Sequence, residues 1–145
     1  MKRTYFQKLE KYNCSSPLEL RDVIEQLAFN EHGLIPVITQ DATSKAMLML
    51  VWMNKESLCQ TIGTQRMTYW SRSQEQLWVK GQTSGHTQTL VSMSFDCDGD
   101  AILCQVKQVG AACHTNRLDC FYLYVDIEKK QVSVSTDNND YLNAQ

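Results

Sequence analysis

The sequence predicts a mainly β fold with short helices, an α+β arrangement in one domain. Three observations predict it. Met47–Met53 is an unbroken apolar run of strand length. Runs that alternate apolar with polar residues are separated by turn signals, the clearest being Asp98-Gly99. Helical spacing, by contrast, shows in two short stretches.

Residues 1–15 are polar and aromatic without a clear period. Ser16-Pro17-Leu18-Glu19 then reads as a capping box with proline in the first turn, and Leu20, Val23, Ile24 and Leu27 follow at helical spacing, with Gly33 to close the helix. This helix is expected to brace the core. Leu34–Thr39 predicts a strand and Asp41-Ala42-Thr43-Ser44 a turn. Met47–Met53 predicts a strand buried on both faces. Asn54 caps a helix that carries Leu58 and Ile62 and ends at Gly63. Met67–Ser71 and Leu77–Lys80 form a hairpin, followed by the small-residue loop Gly81–His86. Thr89, Val91, Met93 and Phe95 alternate before the tip Asp96-Cys97-Asp98-Gly99-Asp100, and Ile102, Cys104 and Val106 alternate after it. A Gly110–Asp119 loop and a last hairpin, Phe121–Ile127 with Gln131–Ser135, complete the pattern. The chain divides into an N-terminal extension (1–32), a domain (33–135) and a polar tail (136–145).

Composition narrows the function. The 43% apolar and 21% charged residues of this 145-residue chain are globular values. A net charge of -2 provides no basic field for nucleic acid or for an anionic membrane. The basic start is not followed by an apolar run, and no stretch reaches the roughly 18 apolar residues of a membrane span. A cytoplasmic protein is the expectation. There the six cysteines (14, 59, 97, 104, 113 and 120) stay reduced and are better used for metal or catalysis than for disulfides.

The acidic tip gathers a thiol and three carboxylates in five positions. Oxygen ligands suit a magnesium-type ion and a thiolate suits zinc. A solvated acidic turn is the bland alternative. An EF-hand is excluded, because Ala101 and Lys107 stand at the sixth and twelfth positions counted from Asp96, where that loop needs Gly and Glu. Cys97, Cys113 and Cys120 fall in loops or at strand ends, where three thiols and an open position would make a catalytic zinc site. Cys104 and Cys59 read as core residues; Cys104 as a fourth ligand would instead close the site. In an extended strand Cys97 points away from Asp96 and Asp98, so the two metal sites would lie back to back, with the remaining thiols from a partner strand or a second subunit.

Taken together, Tyr69-Trp70-Ser71-Arg72-Ser73, Leu77-Trp78-Val79-Lys80-Gly81-Gln82-Thr83-Ser84-Gly85-His86, Asp96-Cys97-Asp98-Gly99-Asp100, Ala112-Cys113-His114-Thr115 and Cys120-Phe121-Tyr122 closely resemble phosphoribosyl-AMP cyclohydrolase, the histidine-biosynthesis enzyme that opens an adenine ring. Gly33-Leu34-Ile35-Pro36 and Leu50-Val51-Trp52-Met53-Asn54 look like the same family, so the likeness runs from about Gly33 to Tyr124. It implies a mixed, folded sheet in an intertwined homodimer. It also implies zinc at Cys97, Cys113 and Cys120, with ligands from both subunits, and magnesium at Asp96, Asp98 and Asp100. Ala111 departs from the family's usual Pro, Asn116 from a common Gly, and Leu118-Asp119 from a basic or small pair. Some members are fused to a pyrophosphohydrolase; the length of this chain leaves the preceding step to another protein.

That chemistry assigns roles to the neighbours. Water must be activated and a proton moved, and the His-x-Glu…Pro-Cys-x-x-Cys signature of the nucleobase deaminases is missing. His114, beside a ligand, is the first candidate base and His86 the second. His32 reads as a helix-end charge. For a substrate with two phosphates on a slightly acidic protein, Arg72, Lys80 and Arg117 are the candidate contacts, with Arg66 behind them. Ser71, Thr83 and Ser84 join them, and the Gly81–Gly85 loop can offer backbone N–H groups. Trp70 and Trp78 suit core packing better than base stacking. The alternative is a zinc-stabilised structural module, or a nucleotide-binding regulator without catalysis.

Overall fold

The computed structural model describes residues 3–12 and 16–136. Its elements are α1 (Thr4–Leu9), α2 (Leu20–Gln26), β1 (Ile35–Asp41), β2 (Met47–Met53), α3 (Lys55–Thr64), β3 (Thr68–Ser71), β4 (Gln76–Val79), β5 (Gln88–Phe95), β6 (Ile102–Gln108), β7 (Leu123–Asp126) and β8 (Gln131–Val134). The predicted tail, beyond Thr136, and Cys14 lie outside the described residues.

A four-stranded sheet in the order β2-β1-β6-β5 carries the core, and two hairpins, β3-β4 and β7-β8, stand apart from it. The sheet is mixed: β1 runs parallel to β6 while the other pairs are antiparallel. Alternate residues of the two central strands, Ile35, Val37, Ile102, Cys104 and Val106, are fully shielded. They share a core with Leu48 and Met53 of β2, Leu58 of α3, and Met67 and Tyr69 of the β3 hairpin. Such alternation is what a sheet buried on one face demands. β2 is an edge strand and exposes Met47 and Leu50, which corrects its expected burial on both faces.

Asp41 Oδ2 accepts from the Thr43 and Ser44 backbone N–H groups and turns the chain into β2. Helix α3 begins as expected: Asn54 and Ser57 exchange side-chain and backbone bonds in a complete capping box. It runs through Gly63 and closes at Gln65, in the left-handed region at φ 62°. Helix α2 differs more. No side chain caps it, its N-cap is Glu19, and it ends at Gln26 well before Gly33. Its extent follows Val23, Ile24 and Leu27, the residues with a core to enter. Lys55 of α3 pairs with Glu25 of α2.

Strand β5 does not alternate evenly. Leu90 pairs with Val106 and Ser92 with Gln105, leaving Val91 as an unpaired extra residue. This bulge turns Val91 to solvent and restores the phase so that Met93 and Phe95 reach the core. A buried polar chain then ties the layers together. Tyr69 OH accepts from Thr39 Oγ1 at 2.9 Å and donates to Gln88 Oε1 at 2.6 Å. Gln88 Nε2 in turn donates to Gln108 Oε1 at 2.7 Å. Burial holds the Tyr69 phenol protonated, so it can act as donor throughout the accessible pH range.

Candidate active site

The loop after β6 folds back on itself. Ala112 N–H donates to the Leu118 carbonyl, Cys113 N–H to that of Arg117, and Asn116 N–H to that of Cys113. Asn116 stands at φ 68°, a left-handed position that glycine takes freely and asparagine tolerates better than other residues. Cys120 N–H donates to the Leu48 carbonyl at 2.8 Å, fixing the far end of the loop on the edge strand. The result is a pair of thiols, Cys113 and Cys120, in hydrogen-bond contact.

The two thiols differ in charge. Burial pushes Cys113 up, but hydrogen bonds from Thr115, the contact with Cys120 and the Lys80 ammonium outweigh it, so its pKa falls below the ordinary thiol value. Thr115 Oγ1 donates to Cys113 Sγ at 3.1 Å. Burial and then the charge of Cys113 push Cys120 up to about 12. In a pair this close, the first thiolate suppresses the second until a cation arrives. Lys80 supplies part of that charge. It is buried, and Nζ donates to the Ala112 carbonyl at 2.5 Å.

A cavity of about 540 Å³ opens beside this pair. Lys80, Thr83, Ser84, His86, Cys113 and His114 all line it. His86 is held by two glycines. The Gly81 Cα faces the His86 backbone so closely that a Cβ there would lie 2.4 Å from the His86 carbonyl carbon. At Gly110 a Cβ would lie 2.6 Å from the imidazole. Gly81→Ala is therefore expected to lose at least about 2 kcal/mol of stability in a denaturant titration, since backbone cannot yield and φ is +80°.

The acidic tip is elsewhere. Among the described residues, one group of three or more potential metal ligands comes together: Asp96, Cys97 and Asp98, with ligand atoms within 4.8 Å of one another. β5 ends at Phe95 and the tip is a turn, so neighbouring side chains converge. The expected back-to-back arrangement of Cys97 and the aspartates is thereby corrected. A side-chain hydrogen bond between Asp96 and Asp100 lowers Asp96 and raises Asp100. The charges of Asp96 and Asp98 raise the exposed Cys97 thiol. Neither Cys113 nor Cys120 belongs to this group.

Other predicted residues scatter. Arg72 lies over Trp52, 5.0 Å from its ring, in a shallow cleft with Trp70. Ser71 Oγ is 3.4 Å from Ser73 Oγ near the same turn. Arg117 bonds the Ser135 carbonyl through Nε and sits 4.0 Å from the Tyr122 ring, joining the thiol loop to the β7-β8 hairpin. Arg66 and His32 are exposed, His32 beside Glu31. Trp78 packs against Tyr69 and the Lys80 ammonium. Cys104 is buried, and burial pushes it up to about 12, whereas Cys59 is exposed on α3, correcting its expected place in the core. Sequence reasoning missed Thr115 and Gly110. A hydroxyl two residues after a candidate ligand was the available signal for the first; the second needed the fold.

Comparison with known proteins follows the same stretch. The family model described as phosphoribosyl-AMP cyclohydrolase matches residues 49–122. A protein of that name from Roseobacter denitrificans is 56% identical over 98 residues, covering 68% of this chain and 77% of its own. One from Alcanivorax borkumensis is 46% identical over 120 residues, covering 80% and 84%. One from Cereibacter sphaeroides is 49% identical over 106 residues, covering 73% and 89%.

Proposed function

The chain belongs to the phosphoribosyl-AMP cyclohydrolase family, and from that premise we infer that it hydrolyses the N1–C6 bond of phosphoribosyl-AMP in histidine biosynthesis, as a homodimer with zinc centres built from both subunits. Water adds at C6, and the C6–N1 bond then breaks as N1 takes a proton. C6 is left as a carboxamide carbon.

One observation carries the shared centre: the thiol pair and the third thiol occupy different places in one subunit. Cys113, with Cys120 against it, lines the cavity of His86 and His114, while Cys97 stands among aspartates at the tip of β5-β6. A second copy can bring its Cys97 to the pair. The β7-β8 hairpin supports association as well. A two-stranded ribbon is marginal alone, yet Leu123, Val125, Ile127, Val132 and Val134 all stand open to solvent.

The donor set fits zinc, with three thiols of which one is already biased toward thiolate, and leaves a coordination position open. Bound there, zinc would supply hydroxide at neutral pH by lowering the pKa of water to about 7. Three thiolates weaken that effect; the Lys80 ammonium beside Cys113 and Cys120 offsets part of their charge. His114 accepts the proton released by the attacking water, and His86 faces the same cavity as the second base candidate. Lys80, Thr83 and Ser84 receive one end of the nucleotide. Arg72 with Ser71, and Arg117, are the further phosphate contacts. Asp96, Asp98 and Asp100 fit a hard divalent ion such as magnesium, which would relieve the mutual repulsion that raises Asp100.

The enzyme works in the cytoplasm on this reading. Among the described residues no helix is long and apolar enough to cross a membrane. The test is hydrolysis of phosphoribosyl-AMP by the purified protein, followed by ultraviolet absorbance. Ring opening is expected, stopped by a zinc chelator and restored by zinc. Zinc-loaded protein that leaves the substrate intact in magnesium would favour a structural or regulatory module.

A further inference from the structure

The N-terminal segment reaches the acidic tip directly. Helix α1 has six residues, and Phe6 is its buried one. The Phe6 ring lies so close to Gly99 that a Cβ there would approach three of its carbons at 2.2–2.8 Å. Gly99 is itself buried, at φ +68°, in the middle of the turn that carries Asp96, Cys97, Asp98 and Asp100. From the other side Ala28 N–H, just past α2, donates to the Gly99 carbonyl at 2.8 Å. Leu9, Leu18 and Leu20 join Phe6 in lining a cavity of about 460 Å³ that Phe95, Asp96 and Cys97 also line. Phe6 and Ala28 lie upstream of the stretch the family model matches, whereas the tip lies within it.

We propose that this segment is a positioning clamp: Phe6 against Gly99 and Ala28 on its carbonyl hold the 96–100 turn in the shape that presents Cys97 and the aspartates to metal. The tip needs such a hold. Its carboxylates repel one another, and Asp96, Cys97 and Asp100 are exposed, so their own packing restrains them little. Glycine at 99 lets the ring approach the backbone, so the clamp acts on the turn itself rather than on any one ligand. Phe6 and Ala28 are thus positioning residues, acting through Gly99.

The inference rests on reading Cys97 as a metal ligand, and the experiment separates the two. Full-length protein is titrated with cobalt(II), whose thiolate charge-transfer band reports ligand identity and geometry. Thermal melting runs in parallel, and amide exchange at 98–100 is followed in metal-free protein. Phe6→Ala is expected to weaken cobalt binding roughly tenfold or more, the scale of losing a group that orients a ligand, to shift the band and to speed exchange at the tip. Phe6→Leu, which keeps an apolar plug, restores most of this. Ala28→Pro removes the donor where Leu27 is already extended at ψ 146°, and it should weaken binding in the same direction, giving a second reading if Phe6→Ala folds poorly. Loss of the band in Cys97→Ser together with wild-type band, affinity and tip exchange in Phe6→Ala and Ala28→Pro would overturn the clamp alone. An unchanged band in Cys97→Ser would overturn the metal reading, and with it the purpose of the clamp.

Discussion

A heterodimer of one Cys97→Ala subunit and one Cys113→Ala subunit is expected to retain about half the activity of the wild-type dimer, although each homodimer is inactive. The arithmetic follows from two-fold symmetry. If each centre takes Cys97 from one chain and Cys113 with Cys120 from the other, the heterodimer has one centre missing both thiols and one missing neither. A centre built within a single chain gives the opposite result, two centres each missing one thiol and no activity. Each homodimer should fall by at least about a thousandfold, since water without the metal is a poor nucleophile at neutral pH. The measurement needs the two variants co-expressed with different tags, purified over both, and assayed for turnover and zinc. A purified heterodimer with no activity, containing no zinc in excess of the homodimers, would rule out the shared centre.

Replacing His114 with alanine should cut turnover by roughly a hundred- to ten-thousandfold while zinc stays bound. His114 follows Cys113 directly and is exposed in the cavity, so its imidazole is free to meet substrate without supporting the fold. His86 is in a different position: half-buried, its ring lies against Gly110 and its backbone against Gly81. Loss of His86 is expected to change substrate affinity and stability together, whereas loss of His114 changes the chemical step. Turnover and KM for both alanine variants, with zinc content measured on each, make the comparison. Full turnover in His114→Ala with a collapse in His86→Ala would transfer the base role.

Local patterns were legible where one element decided its own shape. The residues of β2 were marked by an apolar run, α3 by the Asn54 cap, and the β5-β6 hairpin by Asp98-Gly99. Features that depend on what an element meets were not. Helix α1 has too few turns to show a period, and Phe6 is buried because Gly99 lies opposite it. The start of α2 looked settled by Ser16 and Pro17, but the helix forms where Val23, Ile24 and Leu27 find the core. Strict alternation through Thr89–Phe95 failed at Val91, because a bulge is a property of two strands and only one was being read. The candidate ligands stood out by residue type and motif. Their division into a thiol pair and a separate tip could not be seen in a linear order.

The open β7-β8 ribbon also bears on how much of this protein a cell can keep. Apolar side chains on a short exposed hairpin resemble the surface by which chaperones and proteases recognise unfinished chains. If the chain pairs as proposed, a subunit that has not yet found its copy would be treated as waste, and one that has would be hidden from that surveillance. Abundance would then track successful pairing rather than synthesis, so a surplus made in a burst would be trimmed rather than stored.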